Sequence, residues 1–138
     1  LPVNRFVADF IGKINLLSAR VIEVSASHLK LIVTGLDEVM VPVSGQVKAG
    51  DQGVFAVRPE QVRIVAQSPE TAVESQLLGK IKDFLYIGDV TTYIIALANG
   101  TLIEALLPNS VPGHAKLFEI GDSVVISWQE QSAQFLPD

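Results

Sequence analysis

Gly50-Asp51-Gln52-Gly53-Val54-Phe55-Ala56-Val57-Arg58-Pro59-Glu60 constrains this chain more than any other stretch, because it holds a turn, a strand and a stop. Glycine tolerates positive φ, and aspartate bonds back to its own backbone, so the Gly-Asp pair supplies turn geometry. Val54 to Val57 is an apolar run of strand length. Pro59 lacks an amide hydrogen and cannot continue a central ladder. A second unit of this kind follows at Gly121-Asp122-Ser123-Val124-Val125-Ile126-Ser127-Trp128. The chain therefore reads as two related β halves joined just after Arg58-Pro59-Glu60.

Arg5 to Ile11 is the one helical candidate. Phe6 and Phe10, like Val7 and Ile11, are four residues apart and share a face, with Asn4 as cap and Gly12 as stop. From Ile14 the pattern turns to β, with strands expected at 19–24, 29–33 and 39–43, then after Gly50-Asp51 at 54–57 and 61–65. Pro42 marks an edge or a bulge. The polar stretch 67–76 contains Pro69 and lacks periodicity, so it is the expected linker between halves. The second half restarts at Gln76, and 91–97 is strongly β-prone. Asn99-Gly100 predicts a two-residue hairpin with both residues at positive φ, returning through 101–107.

Laid side by side, Gly35 falls opposite Gly100 and Gly50 opposite Gly121, at offsets of 65 and 71 residues. The growing offset fits loop residues inserted around Pro108 to His114. The expected fold is all-β, two tandem OB-like five-stranded barrels with a short N-terminal helix. A single sandwich with unrelated Gly-Asp turns satisfies the same periodicity. The expected divisions are 1–13, a first half at 14–66, the linker at 67–76 and a second half at 77–138.

With 138 residues, 49% of them hydrophobic, the chain can bury a core and is not of disordered composition. A net charge of −5 repels phosphate backbones and argues against a nucleic-acid partner. The absence of cysteine excludes disulfides, thiolate zinc sites and cysteine nucleophiles. No apolar run approaches the ~20 residues that a membrane-spanning helix needs. The first residues do not read as a signal peptide, and the start at Leu1 suggests a piece of a longer protein.

No catalytic constellation emerges. Asp37-Glu38 sit in an expected turn, where solvated carboxylates are the rule. His28 and His114 belong to no metal-ligating or zinc-protease spacing. There is no Gly-x-Ser-x-Gly elbow and no phosphate-binding loop. Trp128 follows Ile126 in the alternation and fits core or interface better than a base-stacking platform. Arg58, at a strand end, is suited to hold a carboxylate in a bidentate pair, while an internal pair with Glu60 or another acid that fixes the turn is the commoner arrangement.

Several stretches together resemble the C-terminal regulatory region of ABC-importer ATPase subunits, called TOBE (transport-associated OB). They are Pro2-Val3-Asn4-Arg5-Phe6-Val7-Ala8-Asp9-Phe10-Ile11-Gly12 and the Ile14-Asn15-Leu16 that follows, as in spermidine/putrescine-type members. Val57-Arg58-Pro59-Glu60 is similar to the family's Arg-Pro-Glu motif. Gly79-Lys80-Ile81, Tyr86-Ile87-Gly88, Asn99-Gly100, Pro108-Asn109 and Gly121-Asp122-Ser123-Val124 complete the likeness. It implies that residues 1–13 end a linker helix from an upstream nucleotide-binding domain. It implies a regulatory and dimerisation domain of an importer ATPase, of polyamine type, at the cytoplasmic face of the inner membrane. The implied partners are a second copy, the upstream ATPase domain, the membrane permease subunits and a small ligand. ATP and Mg would be held by the parent protein, so no catalytic residue, cofactor or metal site is expected here. Arg58, Pro59 and Glu60 become interface candidates.

Two alternatives stand beside this. Ser18-Ala19-Arg20 resembles part of the Ser-Ala-Arg-Asn motif of molybdate-binding domains in the same superfamily, with Val21 in place of the motif's Asn. Ser18 and Arg20 are thus candidate ligands of an oxyanion-sensing barrel. A free-standing ligand- or protein-binding OB module is the other alternative.

Overall fold

The computed structural model describes residues 14–67, 77–108 and 118–138. The expected helix at Arg5 to Ile11 lies outside them, as do most of the 67–76 linker and of the loop after Pro108. Ten strands follow in order: β1 (Asn15–Val24), β2 (His28–Val33), β3 (Asp37–Pro42), β4 (Gln52–Val57), β5 (Arg63–Ala66), β6 (Leu77–Ile87), β7 (Val90–Leu97), β8 (Leu102–Pro108), β9 (Ser123–Ser127) and β10 (Ala133–Pro137). Short 3₁₀ turns at Pro59–Gln61 and Glu130–Ser132 precede β5 and β10. All pairings are antiparallel, in two five-stranded sheets ordered β10-β4-β1-β2-β3 and β5-β9-β6-β7-β8.

The repeat seen in the sequence is a repeat of hydrogen bonds. Gly50 has φ 98° and Gly121 φ 95°, conformations that a side chain resists. In the first turn Asp51 N–H donates to Lys48 O (3.1 Å), and Lys48 N–H donates to Asp51 Oδ2 (3.1 Å). In the second, Asp122 N–H donates to Glu119 O (3.0 Å), and Glu119 N–H to Asp122 Oδ2 (2.9 Å). Each turn then grips the first long strand of its own sheet. Gly50 N–H donates to Val21 O (2.8 Å) and Val21 N–H to Asp51 O (2.9 Å). Gly121 N–H donates to Ile81 O (2.8 Å) and Ile81 N–H to Asp122 O (3.0 Å). Immediately after the gripped residue each long strand is bulged, between Val21 and Glu23 in β1 and between Ile81 and Asp83 in β6. A bulge bends a strand and raises its twist, which is what curling a small sheet requires.

The compact units do not follow the expected halves. One consists of Ile14–Arg58 with Trp128–Asp138, and the other includes Pro59–Ser127. The chain crosses at Arg58/Pro59 and again at Ser127/Trp128. The expected boundary at 67–76 is corrected: β5 and β6, on either side of it, both pair with β9 in the second unit. The physical reason is that each sheet takes its fifth strand from the other sequence half. β5 leaves the first half to pair with β9, and β10 leaves the second to pair with β4.

In the first unit the core alternates along the strands except in β4, where Phe55, Ala56 and Val57 are buried in succession. Ala19 and Val21 of β1, Leu29, Leu31 and Val33 of β2, Val41 of β3, Phe55 and Val57 of β4, and Ala133 and Phe135 of β10 are all buried. The sheet's two edges, β3 and β10, come into contact, so this sheet curls toward a barrel. Trp128 packs its ring on Phe55 with centroids 5.5 Å apart, which settles it as a packing residue. Gly53 has a steric role: a Cβ there would lie 2.2 Å from Leu136 O and 2.8 Å from Pro137 Cα. Only glycine lets β10 lie this close to β4.

The second unit is centred on Tyr93 of β7, which meets Phe118 edge-on (5.6 Å) and Phe84 at a tilt (6.1 Å). Ile81, Ile95, Ile103, Val124 and Ile126 surround that core. Five consecutive β7 residues, Thr91 to Ile95, are buried, so both faces of this strand are covered there. Its hairpin differs from expectation. Gly100 has φ 91°, but Asn99 is not at positive φ. Gly100 N–H donates to Leu97 O (2.9 Å), and Asn99 Oδ1 accepts from Thr101 N–H (2.9 Å). The loop is three residues, a turn followed by a left-handed glycine, instead of the two-residue type.

Gly53→Ala is predicted to destabilise the chain by about 3 kcal/mol, because the added methyl meets backbone that cannot rotate away. Gly45→Ala, at φ 63° with open space around it, should cost only about 1 kcal/mol of backbone strain. Thermal or urea melts of the two variants check the order.

Candidate functional site

The side chains of β1 that alternate away from the core are Leu16, Ser18 and Arg20, all exposed. Ser18 and Arg20 line an open groove of about 320 Å³ with Ile32, Thr34, Gln52, Val54 and Asp138. Register builds it. Arg20 lies opposite Gln52 on one side and Ile32 on the other, and Ser18 lies opposite Val54. Asp138 is held beside them because its N–H donates to Gln52 O (3.0 Å).

The second unit has a groove of about 330 Å³ at the same place, lined by Gln67, Leu78, Gly79, Lys80, Ala96, Leu97, Ala98 and Ser123. Gln67 N–H donates to Ser123 O (3.1 Å), as Asp138 does to Gln52. Lys80 lies opposite Ser123, as Arg20 lies opposite Gln52. Leu78 thus takes the place of Ser18, Lys80 of Arg20 and Gln67 of Asp138. The sequence reading found Ser18 and Arg20 but missed Lys80, Gln52 and Asp138. Gly79-Lys80-Ile81 against Ala19-Arg20-Val21 was the available signal for Lys80. Asp138 comes from the far end of the chain and had none.

The first groove is poorly built for an oxyanion. Its one guanidinium, Arg20, shares the groove with the Asp138 carboxylate, which repels an anion. Val21, at the place of the motif's Asn, is 1% exposed and lies in the core, so it adds no donor.

Arg58, Pro59 and Glu60 sit where the chain passes from one unit to the other. Pro59 is buried and opens the 3₁₀ turn, a position where its missing N–H costs nothing. Val62 N–H donates to Pro59 O (3.2 Å), and the turn packs on β8. Arg58 and Glu60 are exposed, and no ion pair joins them among the described residues. The turn is fixed by Pro59 and its backbone bond, without the internal pair.

The other polar clusters are local. His28 Nε2 meets Glu130 Oε2 at 2.5 Å, and His28 Nδ1 meets Ser27 Oγ at 2.7 Å, tying the start of β2 to the turn before β10. His114 lies outside the described residues. Lys30 Nζ lies 3.9 Å from Glu23 and 3.7 Å from Glu38 on the surface. Glu104 of β8 is a buried carboxylate opposite Ile94, which the sequence reading passed over. Among the described residues no group of His, Asp and Glu could hold a metal ion. No helix among them is long and apolar enough to cross a membrane.

The TOBE domain pattern matches residues 55–136. The chain belongs to the TOBE domain family. This TOBE chain is 56% identical over 137 residues to the spermidine/putrescine import ATP-binding protein PotA of Nitrosospira multiformis, covering 99% of the chain and 38% of that protein. It is 51% identical over 137 residues to PotA of Nitrosomonas eutropha, with the same coverages. It is 42% identical over 128 residues to PotA 2 of Pseudomonas aeruginosa, covering 93% of the chain and 35% of that protein. The TOBE chain thus spans little more than a third of the length of these relatives. Its fold is similar to a crystal structure of the cytoplasmic molybdate-binding protein ModG with molybdate bound, at TM-score 0.71 and 19% identity, over 91% of this chain and 97% of that one. That likeness shows a shared OB-type β architecture, and the expectation of two five-stranded units holds.

Calorimetric titration of the chain with molybdate is predicted to give no binding heat, and Arg20→Ala to leave that result unchanged. Saturable binding that Arg20→Ala abolishes would show that the Asp138 argument fails.

Proposed function

We propose that this chain is the regulatory and dimerisation part of the ATP-binding subunit of an ABC importer for polyamines of the spermidine/putrescine class. The observation that carries the reading is the 56% identity, across 99% of the chain, to a spermidine/putrescine import ATP-binding protein. In this reading ATP and Mg bind to an upstream ATPase domain of the parent protein, which works with membrane permease subunits at the cytoplasmic face of the membrane. The present residues hydrolyse nothing themselves. They supply β units whose association with a second copy differs between transporter states, which is how such a domain biases a cycle. Arg58 and Glu60 suit contact with a neighbouring domain, because both are exposed beside the buried Pro59.

An oxyanion-sensing barrel has less support. Its fold likeness is at 19% identity, and the corresponding groove mixes one cation with one carboxylate.

Disrupting the gene of the parent protein tests the reading. Uptake of radiolabelled spermidine or putrescine is expected to fall to background and to return on complementation. Unchanged polyamine uptake, with another solute lost instead, would overturn the substrate class. The absence of any transport defect would overturn the importer.

A further inference from the structure

We propose that the outer face of β10, β4 and β1 is where a second copy of this chain docks about a two-fold axis, with Arg20 of each copy against Asp138 of the other. The proposal rests on the dimerisation part of the reading above and names the surface that performs it.

The face is apolar on one side and charged on the other. Register places Leu136 of β10 opposite Val54 of β4, and Val54 opposite Ser18 of β1, with Leu16 farther along β1. Leu16 is 51% exposed and Leu136 42%. Single exposed leucines need no explanation, but here they lie on the same outward side of the two strands that flank β4, with Val54 and the buried Ala56 between them. Ile32, 38% exposed, flanks Arg20.

Charge selects the occupant. In a two-fold contact residue i of one copy meets residue j of the other, and j meets i, so a groove that holds one side chain of each sign can pair twice with its own copy. Arg20 and Asp138 line the same groove, and neither makes an ion pair among the described residues. The matching face of the second unit is as apolar, with Leu78 47% and Val65 46% exposed. It has only the cation, however, since Gln67 stands where Asp138 does. The first unit's face is self-complementary and the second's is not.

Sedimentation velocity on the chain and its charge variants tests this. The unchanged chain is expected to dimerise. Arg20→Asp and Asp138→Arg, each alone, place like charges across the axis twice and should weaken association at least about tenfold. Mixing the two variants in equal amounts should restore it. One copy then carries two acidic groups and the other two basic ones, so every contact across the axis is again attractive. No pairing within a chain can produce that recovery, and a misfolded variant cannot either. Should a reversal fail to fold, Arg20→Gln and Asp138→Asn must each weaken association.

A dimer insensitive to both reversals would overturn this surface and leave the dimerisation reading standing. Variants that weaken but do not recover on mixing would overturn the Arg20–Asp138 contact. A monomeric chain would overturn the surface, and a parent subunit that is monomeric as well would remove the dimerisation reading with it.

Discussion

Two pairs of backbone hydrogen bonds hold this architecture. Val21 is gripped from both its N–H and its C=O by the Gly50-Asp51 turn, and Ile81 in the same way by Gly121-Asp122. Each gripped residue is 1% exposed and stands at a bulge. The buried backbone groups at a bulge need partners outside the regular ladder, and the turn provides them. A left-handed glycine makes the approach possible and the aspartate carboxylate holds the turn closed. Once the long strand is bent there, its neighbours follow the curve, and the inward rows Ala19–Val21 and Leu29–Leu31–Val33 converge on Phe55 and Phe135.

The second constraint is the exchange of fifth strands. β10 can reach β4 only because Gly53 has no side chain in its path, and Trp128, its ring tilted against Phe55, fixes the start of the return. The His28–Glu130 contact secures the turn between them. Because the pairing residues of β4 and β10 are far apart in the chain, the loop between them must be closed before that contact contributes, and such non-local topologies fold slowly. The same exchange puts Asp138 beside Arg20, so the charged groove belongs to neither sequence half alone.

Much of this was legible in the residues, for reasons that can be named. The two Gly-Asp turns were visible because glycine and aspartate have a local physical role. The strands were visible where one face is buried, as in β2, while Ser18 lay outside the expected strand at 19–24 and was singled out with Arg20 only by a motif likeness. What was not legible depends on pairing. Nothing in Arg63-Ile64-Val65-Ala66 says which sheet it joins, and Ala133-Gln134-Phe135-Leu136-Pro137 is short, ends in proline and gives a weak strand signal. The boundary at 67–76 therefore marked a polar stretch within one unit. Asn99-Gly100 signalled its hairpin correctly and the turn type wrongly, because Asn99 uses its side chain to accept from Thr101 instead of turning left-handed. Function was legible only by likeness, since the described polar residues cluster locally, as in His28–Glu130 and Lys30 with Glu23 and Glu38.

Family membership and the geometry meet in one idea, two β units whose curled sheets present open outer faces. That curl rests on the gripped bulges. Amide hydrogen exchange at Val21 and Ile81 tests it most directly. Both amides are expected to exchange only through global unfolding of their units, with Phe135 among the same slow set as Val21. Exchange of Val21 or Ile81 at rates typical of exposed turns, while the flanking strand amides stay protected, would contradict it.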